Sequence, residues 1–341
     1  MRSLVWEAPR EMVMRQQAEP ELKPDEALIK VAYAGICGSE LSGYLGQNAL
    51  RVPPLVMGHE FAGELVGLGE SARKARPELT IGQRVTVNPL SYCGVCEMCL
   101  VGLNHLCPKR KLLGAHRPGA FAEYVAVPAR LVLPLPEGMS LQTGALTEPA
   151  AVAVRIGEMA GMLHGGTALV IGGGPIGLLA LQALQTQGAV RIFIAELDPA
   201  RLSMGAALGG EPLNPRTDNV VEIVRAATNN YGVPVAVDAV GTAVTRSTCI
   251  SATRSGGKVI LTGLHEESSV IPAAEVIRRE ITLLGCFAYS PANFAEGLQR
   301  LADGRLRLDP WVVEAPLAEG GQWFERLLGV PGEVAKVLLV P

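Results

Sequence analysis

Aromatic residues are scarce in this 341-residue chain, with Phe, Trp and Tyr together making 4%. Its core must therefore pack on Val, Ile, Leu and Ala, and a hydrophobic content of 48% supplies enough of them to exclude global disorder. An excess of one charge is also lacking. Against 33 Asp and Glu stand 30 Lys and Arg, a net charge of −3 that gives no footing for nucleic acid or an anionic membrane. The basic cluster Lys109-Arg110-Lys111 is too short for a polybasic patch and reads as a solvated loop. The first residues, MRSLVWEAPREMVMRQQ, hold no apolar stretch of the kind a secretory leader needs, so the expectation is a cytoplasmic chain. A membrane span is lacking too. Between Glu158 and Arg191 no Asp, Glu, Lys or Arg occurs, yet Gly172-Gly173-Gly174-Pro175 breaks the run. A span needs about 20 apolar residues in one continuous helix, so the stretch reads as a buried strand, a glycine turn and a buried helix.

The cysteine count is seven, an odd number in a chain too large for a secreted disulfide scaffold. Four of the seven crowd into one loop as C-x2-C-x2-C-x7-C: Cys93, Cys96, Cys99 and Cys107. Four thiolates close a tetrahedral shell around zinc with no open position, which makes a structural site. An iron–sulfur cluster is the rival, because C-x2-C-x2-C also opens the bacterial ferredoxin run. That run has about three residues before its fourth cysteine, whereas seven stand here, so the spacing favours zinc. Cys249 and Cys286 lie in apolar contexts and read as inert core thiols.

Length suggests two domains at ~100–200 residues each. The first part is β-rich: 27–36, 83–87 and 121–127 are short Val- and Ala-rich strand runs punctuated by Gly and Pro. Near Ala150 the pattern changes. Strands at 168–171, 191–196, 233–240, 258–264 and 281–288 alternate with helices at 176–187, 199–208 and 244–252. Such alternation predicts βαβ units, a parallel sheet and an α/β fold. Ser290-Pro291 is an N-cap followed by Pro at the first helical position, opening a helix to about 303, and the tail VAKVLLVP has strand character.

Gly172-Gly173-Gly174-Pro175-Ile176-Gly177 is a G-x-G-x-x-G between the strand ALVI and a helix, the context that makes the pattern a dinucleotide turn. Gly172 makes the turn, Gly174 lets the backbone approach a pyrophosphate, and Gly177 permits close helix–strand packing. The pyrophosphate then sits on the helix N-terminus. An acid is expected about 20 residues on, and Glu196 is there. Its carboxylate can accept from ribose hydroxyls and would repel a 2′-phosphate, which favours NAD over NADP. Arg201 could lie along the same ribose or be a surface charge.

Two further segments carry metal-type donors, Gly35-Ile36-Cys37-Gly38-Ser39-Glu40 and Gly58-His59-Glu60-Phe61-Ala62-Gly63. A third, Thr147-Glu148-Pro149, falls at the junction of the two expected domains, where ligand sites prefer to lie. A thiolate, an imidazole and a carboxylate with one open position suit a catalytic zinc. Spacing by itself leaves that reading level with a small buried Cys and a satisfied core His.

GICGSE, GHEFAGE, the four-cysteine loop, RPGAFAEYV, LTEPAAVAV and GGGPIG follow one another in an order that spans nearly the whole chain. In this the chain resembles the zinc-dependent medium-chain dehydrogenase/reductases. Within them the likeness is to the sorbitol, threonine and butanediol dehydrogenase branch, because Glu148 stands where the liver alcohol dehydrogenases carry Cys. The resemblance implies a GroES-like β-rich catalytic domain over 1–151 with both zinc sites, a Rossmann NAD-binding domain over 152–288, and a return to the catalytic domain over 289–341. It implies that Cys37 and His59 ligate a catalytic zinc, with Glu60 and Glu148 as candidate carboxylates. Ser39 matches the hydroxyl that bonds the substrate oxygen, and Glu40 the acid that orients His59. Pro175, Ile176, Glu196, Arg201, Leu264 and the segment Phe287-Ala288-Tyr289 match the turn and cofactor-contacting positions. Two departures stand out. Ser42 replaces the histidine that often ends a proton relay, and Ala288 replaces the arginine of sorbitol-type enzymes, which weakens sorbitol as the substrate.

The implied activity is hydride transfer from a secondary alcohol to NAD. Zinc would acidify the alcohol and Ser39 would pass its proton outward. The implied assembly is a homodimer or homotetramer. The alternatives are an NADP-preferring member of the same family, a non-catalytic NAD-binding protein, and a zinc-free reductase. The last two should lack the metal donors that this chain keeps.

Overall fold

The computed structural model describes residues 1–341. Its chain divides into two units. One comprises 1–148, 290–304 and 312–341, and the other 149–289 and 305–311.

The first unit is built on the strand Glu26–Gly35, whose Ala27, Ile29 and Val31 are buried at the period-2 spacing that marks a strand face. On one side this strand pairs antiparallel with Glu60–Leu68. On the other it pairs with Tyr124–Pro128 near its start and with Lys336–Val340 near its end. The strands Arg84–Val87, Val132–Pro134 and Val312–Pro316 complete a seven-stranded sheet. A separate three-stranded sheet holds the hairpin Arg2–Ala8 and Glu11–Gln16, with Leu55–Val56 beside it. The few aromatics gather here. Trp6, Phe61, Phe121 and Phe324 lie in one apolar core, and the Phe324 ring stands 5.1 Å from Tyr44 and 6.1 Å from Phe121. The strand expected at 121–127 begins later, at Tyr124. Phe121 instead spends its backbone N–H on Met57 O and its carbonyl on Leu4 N–H.

The second unit is a six-stranded parallel sheet. Its order is Glu211–Leu213, Arg191–Ala195, Thr167–Ile171, Val233–Asp238, Thr253–Leu261 and Thr282–Gly285. In chain sequence this is 3-2-1-4-5-6, the doubly wound Rossmann order, with its crevice where the winding reverses. The uncharged helix Pro175–Thr186 is buried from Gly177 through Leu184, so it needs no polar face. No helix is long and apolar enough to cross a membrane. Strand ends differ from the sequence reading by a few residues. Val233–Asp238 stops short of 240 because Asp238 Oδ1 accepts the N–H groups of Val240 and Gly241 and turns the chain. The next strand ends at Leu261 rather than 264, since Thr262 and Gly263 donate to Asp238 O. The last is four residues, Thr282–Gly285, rather than the run 281–288. Cys249 and Cys286 are buried in this unit; burial pushes the Cys249 thiol well up and that of Cys286 to about 11.

Candidate metal centres and nucleotide turn

Ladder register sets the first centre. Gly35 faces Glu60 on one side and Leu338 on the other, so three strands meet two residues before Cys37. A Cβ at Gly35 would stand 2.5 Å from Glu60 Oε2, so only glycine leaves that carboxylate its place. Cys37 is the N-cap of the helix Gly38–Tyr44. Glu40, in the first turn, accepts the Cys37 N–H on Oε2 at 3.0 Å and the Gly58 N–H on Oε1 at 2.8 Å. The same Oε1 meets His59 Nδ1 at 2.8 Å. One buried carboxylate thus ties both donor loops together and, by taking Nδ1, leaves His59 Nε2 as the ring nitrogen for a metal. Burial works to raise the Glu40 carboxyl, but His59, Arg51 and the Cys37 N–H outweigh it and hold the group below its ordinary value.

Cys37, His59 and Glu60 present one thiol sulfur, one ring nitrogen and one carboxylate oxygen, all within 4.8 Å of one another. This mixed, incomplete donor set fits a zinc with an open position. Glu148, near the start of the helix Thr147–Ala160, is outside that trio. Its charge is felt by Lys336, a residue the sequence reading missed. Lys336 Nζ donates to Glu60 Oε2 at 2.6 Å and to Ile36 O at 3.1 Å, and both members of the ion pair are buried. Burial pulls the Lys336 ammonium down, but Glu60, Cys37 and Glu148 together hold it above the usual lysine value. The only hint in sequence was a single charge opening the apolar strand KVLLV. Ser39 Oγ donates to Cys37 Sγ at 3.4 Å and accepts from Arg51 Nη2 at 3.2 Å. Ser42 Oγ donates to the Ser39 carbonyl, not to its hydroxyl.

The second centre joins Cys93, Cys96, Cys99 and Cys107. Cys93 Sγ lies 3.9 Å from Cys99 Sγ and 3.6 Å from Cys107 Sγ, too far for a disulfide. Four thiolates ~2.3 Å from one zinc define a tetrahedron with edges of about 3.8 Å, which these separations match. Sulfides inside an iron–sulfur cluster would spread the thiolates further apart. Backbone N–H groups of Val95 and Cys96 draw the Cys93 thiol down to about 6, toward the thiolate a metal requires.

In the second unit the predicted nucleotide residues lie at the carboxyl ends of the parallel strands. Gly172 has φ +107°, and a Cβ at Gly177 would collide with the Gly172 carbonyl. Gly174 is the N-cap of the helix, with Pro175 at its first position and Ile176 half-buried next to it. Glu196 follows its strand directly. Its Oε2 accepts the Gly173 N–H at 2.6 Å, while Oε1 accepts from Leu197 at 2.7 Å and Asp198 at 2.9 Å. Arg201 packs close by, since a Cβ at Gly173 would stand 3.2 Å from Arg201 Cβ. Its buried Nε has no hydrogen-bond partner. Leu264 and Phe287 lie beyond the ends of their strands, 83% and 41% exposed. Open backbone at the turn, a helix N-terminus and an orphaned guanidinium nitrogen fit a pyrophosphate-bearing cofactor.

Residues 23–137 match the alcohol dehydrogenase GroES-like domain, and residues 175–303 match the zinc-binding dehydrogenase domain. Sorbitol dehydrogenase of Bacillus subtilis is 31% identical, covering 100% of this chain and 97% of that protein. A zinc-binding dehydrogenase of Sinorhizobium meliloti, solved with NADP, superposes with TM-score 0.92 at 28% identity, over 100% of this chain and 99% of that one. An alcohol dehydrogenase of Escherichia coli CFT073, solved with NADH, gives TM-score 0.91 at 25% identity over 100% and 99%. Matched in order through both units and aligned end to end with a curated relative, the chain belongs to the zinc-type medium-chain alcohol dehydrogenases, oxidoreductases that use NAD or NADP.

Proposed function

We propose that this chain oxidises a secondary alcohol, carried by a polyol, diol, sugar alcohol or hydroxy amino acid, with NAD as acceptor. The observation that carries the reading is the convergence of Cys37, His59 and Glu60, with the His59 ring locked by Glu40. Zinc held there would supply Lewis acidity toward an alcohol oxygen, and a bound nicotinamide would supply the hydride acceptor. Cys37 and His59 hold the metal. Glu60 and Glu148 are the carboxylates of the site, and Lys336 holds Glu60 in place. Ser39 Oγ–H donates a hydrogen bond to the substrate oxygen and stabilises the charge left there when the alcohol proton departs. Ser42 is turned away from that hydroxyl, so the proton leaves toward water. Cys93, Cys96, Cys99 and Cys107 hold a structural zinc. The name of the relative from Bacillus subtilis supports a polyol-like substrate. Ala288 in the Phe287-Ala288-Tyr289 segment argues against sorbitol itself.

Gly172, Gly174, Pro175, Ile176 and Gly177 cradle the pyrophosphate, Glu196 faces the adenosine ribose, and Leu264 and Phe287 flank the nicotinamide end. NADP is the second reading, favoured by one observation, the buried Arg201 Nε without a partner. A homodimer or homotetramer is in keeping with the strand Thr282–Gly285 leaving one sheet edge open. A cytoplasmic setting suits seven free cysteines.

The test is a screen of diols, sugar alcohols, their phosphates and 3-hydroxy amino acids with NAD and NADP, followed by reduced-cofactor absorbance. Cys37→Ser and His59→Ala should abolish turnover while NADH binding, read by fluorescence, persists. Substantial kcat in a metal-checked variant would refute the assignment.

A further inference from the structure

Arg51 looks like a surface charge in sequence, and its neighbours Leu50 and Val52 are exposed, yet Arg51 is 4% exposed. Its stem runs across the helix Gly38–Tyr44. A Cβ at Gly43 would stand 2.6 Å from Arg51 Cδ. The helix therefore carries a glycine where the stem passes, at a propensity cost of about 1 kcal/mol relative to Ala. Each of its three guanidinium nitrogens makes a hydrogen bond. Nε donates to Gly114 O at 3.2 Å, Nη1 to Ser39 O at 3.0 Å and Nη2 to Ser39 Oγ at 3.2 Å. It makes no direct salt bridge, although its charge reaches the buried Glu40 carboxylate. Two of its three bonds go to one residue, Ser39.

We propose that Arg51 is a positioning residue for the dehydrogenase reaction, clamping Ser39 by its carbonyl and its hydroxyl so that the single Ser39 hydrogen faces the metal site. The inference rests on the reading of Ser39 given above. A guanidinium has donors only and keeps its proton. Ser39 Oγ must therefore be the acceptor on the Arg51 side, and its hydrogen must point elsewhere. It points at Cys37 Sγ, 3.4 Å away. An oxygen entering beside Cys37 meets a hydroxyl already turned toward it. Arg51 itself neither gains nor loses a proton. It sets the direction of the Ser39 hydrogen bond and nothing more.

The experiment compares Arg51→Met, Arg51→Lys and Ser39→Ala, and each Arg51 change in the Ser39→Ala background, using an alcohol from the screen that the parent oxidises. Met keeps the apolar stem and deletes the fork. Lys keeps the charge as a single point that cannot grip both Ser39 oxygens. Arg51→Met should lower kcat ~10–100-fold, as a misoriented group does, with KM near the parent value. Zinc content, NADH fluorescence and melting temperature report the fold independently of activity. Arg51→Lys should fall between parent and Met. In the Ser39→Ala background either change should alter kcat by no more than about twofold, because the two act as one unit. A parent-level kcat in Arg51→Met, or an equal loss with and without Ser39, overturns the proposal. Should the Met variant fail to fold, a folded Lys variant at parent kcat overturns it equally. A parent that oxidises nothing in the screen refutes the dehydrogenase reading instead, and Ser39→Ala at parent kcat removes the role of Ser39 and with it that of Arg51.

Discussion

Lys336→Met removes one half of the ion pair between Lys336 and Glu60, whose side chains are 2% and 1% exposed. The variant leaves the Glu60 carboxylate without its 2.6 Å partner and the Ile36 carbonyl without a donor at 3.1 Å. Breaking a buried pair from one side costs ~3–5 kcal/mol, whereas replacing both charges by neutral groups is often close to neutral. Four proteins decide the matter: parent, Lys336→Met, Glu60→Gln and the double variant. Unfolding in urea would be followed by tryptophan fluorescence, since Trp6 and Trp323 both lie in the first unit. The expected result is a low-denaturant shift of that unit's transition equivalent to ~3–5 kcal/mol for Lys336→Met. The double variant should recover most of it, giving a coupling of ~2–3 kcal/mol. The reasoning fails if Lys336→Met lies within about 1 kcal/mol of the parent, the range of an exposed pair. It fails too if the double variant is less stable than Lys336→Met alone.

Cys96→Ser should reduce zinc from two atoms per chain to one and lower the melting temperature, with no iron in the parent by elemental analysis; an unchanged melt after zinc loss would refute a structural role. Glu196→Ser should erase most of a parental preference for NAD in kcat/KM, since a carboxylate facing a 2′-phosphate costs several kcal/mol in specificity. A parent indifferent to cofactor, or a variant with unchanged selectivity, would show that Glu196 does not read the ribose.

The parts of the fold legible in sequence were those written locally. Gly172 to Gly177 lie where the strand Thr167–Ile171 passes into its helix within one short stretch, and the parallel sheet follows from the alternation around it, whereas the short strand Glu211–Leu213 left no such pattern. The four-cysteine loop carried its own geometry in its spacing. Glu40 and His59 stand 19 residues apart, and resemblance rather than periodicity joined them. Lys336 and Glu60 are 276 residues apart, and no local rule pairs them. Arg51 was hidden for a different reason. Charge in a loop ordinarily means solvent, and only the gap at Gly43 shows where its stem goes. Strand ends were misjudged where a side chain such as Asp238 captured the next backbone N–H groups, a competition that hydrophobic patterning does not register.

Because Glu40 ties the Cys37 and Gly58-His59 loops together, the two metal centres respond differently to a chelator. The first centre is braced by protein: three bonds to one buried carboxylate fix the donors relative to each other whether or not an ion is there. Metal could leave and return to a vacancy that keeps its form, so exchange there is a matter of access. The second centre has mainly sulfur beside sulfur, Cys93 against Cys99 and Cys107. Without an ion the four sulfurs have little but one another to hold them, an oxidant can join them as disulfides, and the loop loses the template that would guide a new ion in. The same chelator would thus empty one site reversibly and ruin the other, and air would make the difference permanent.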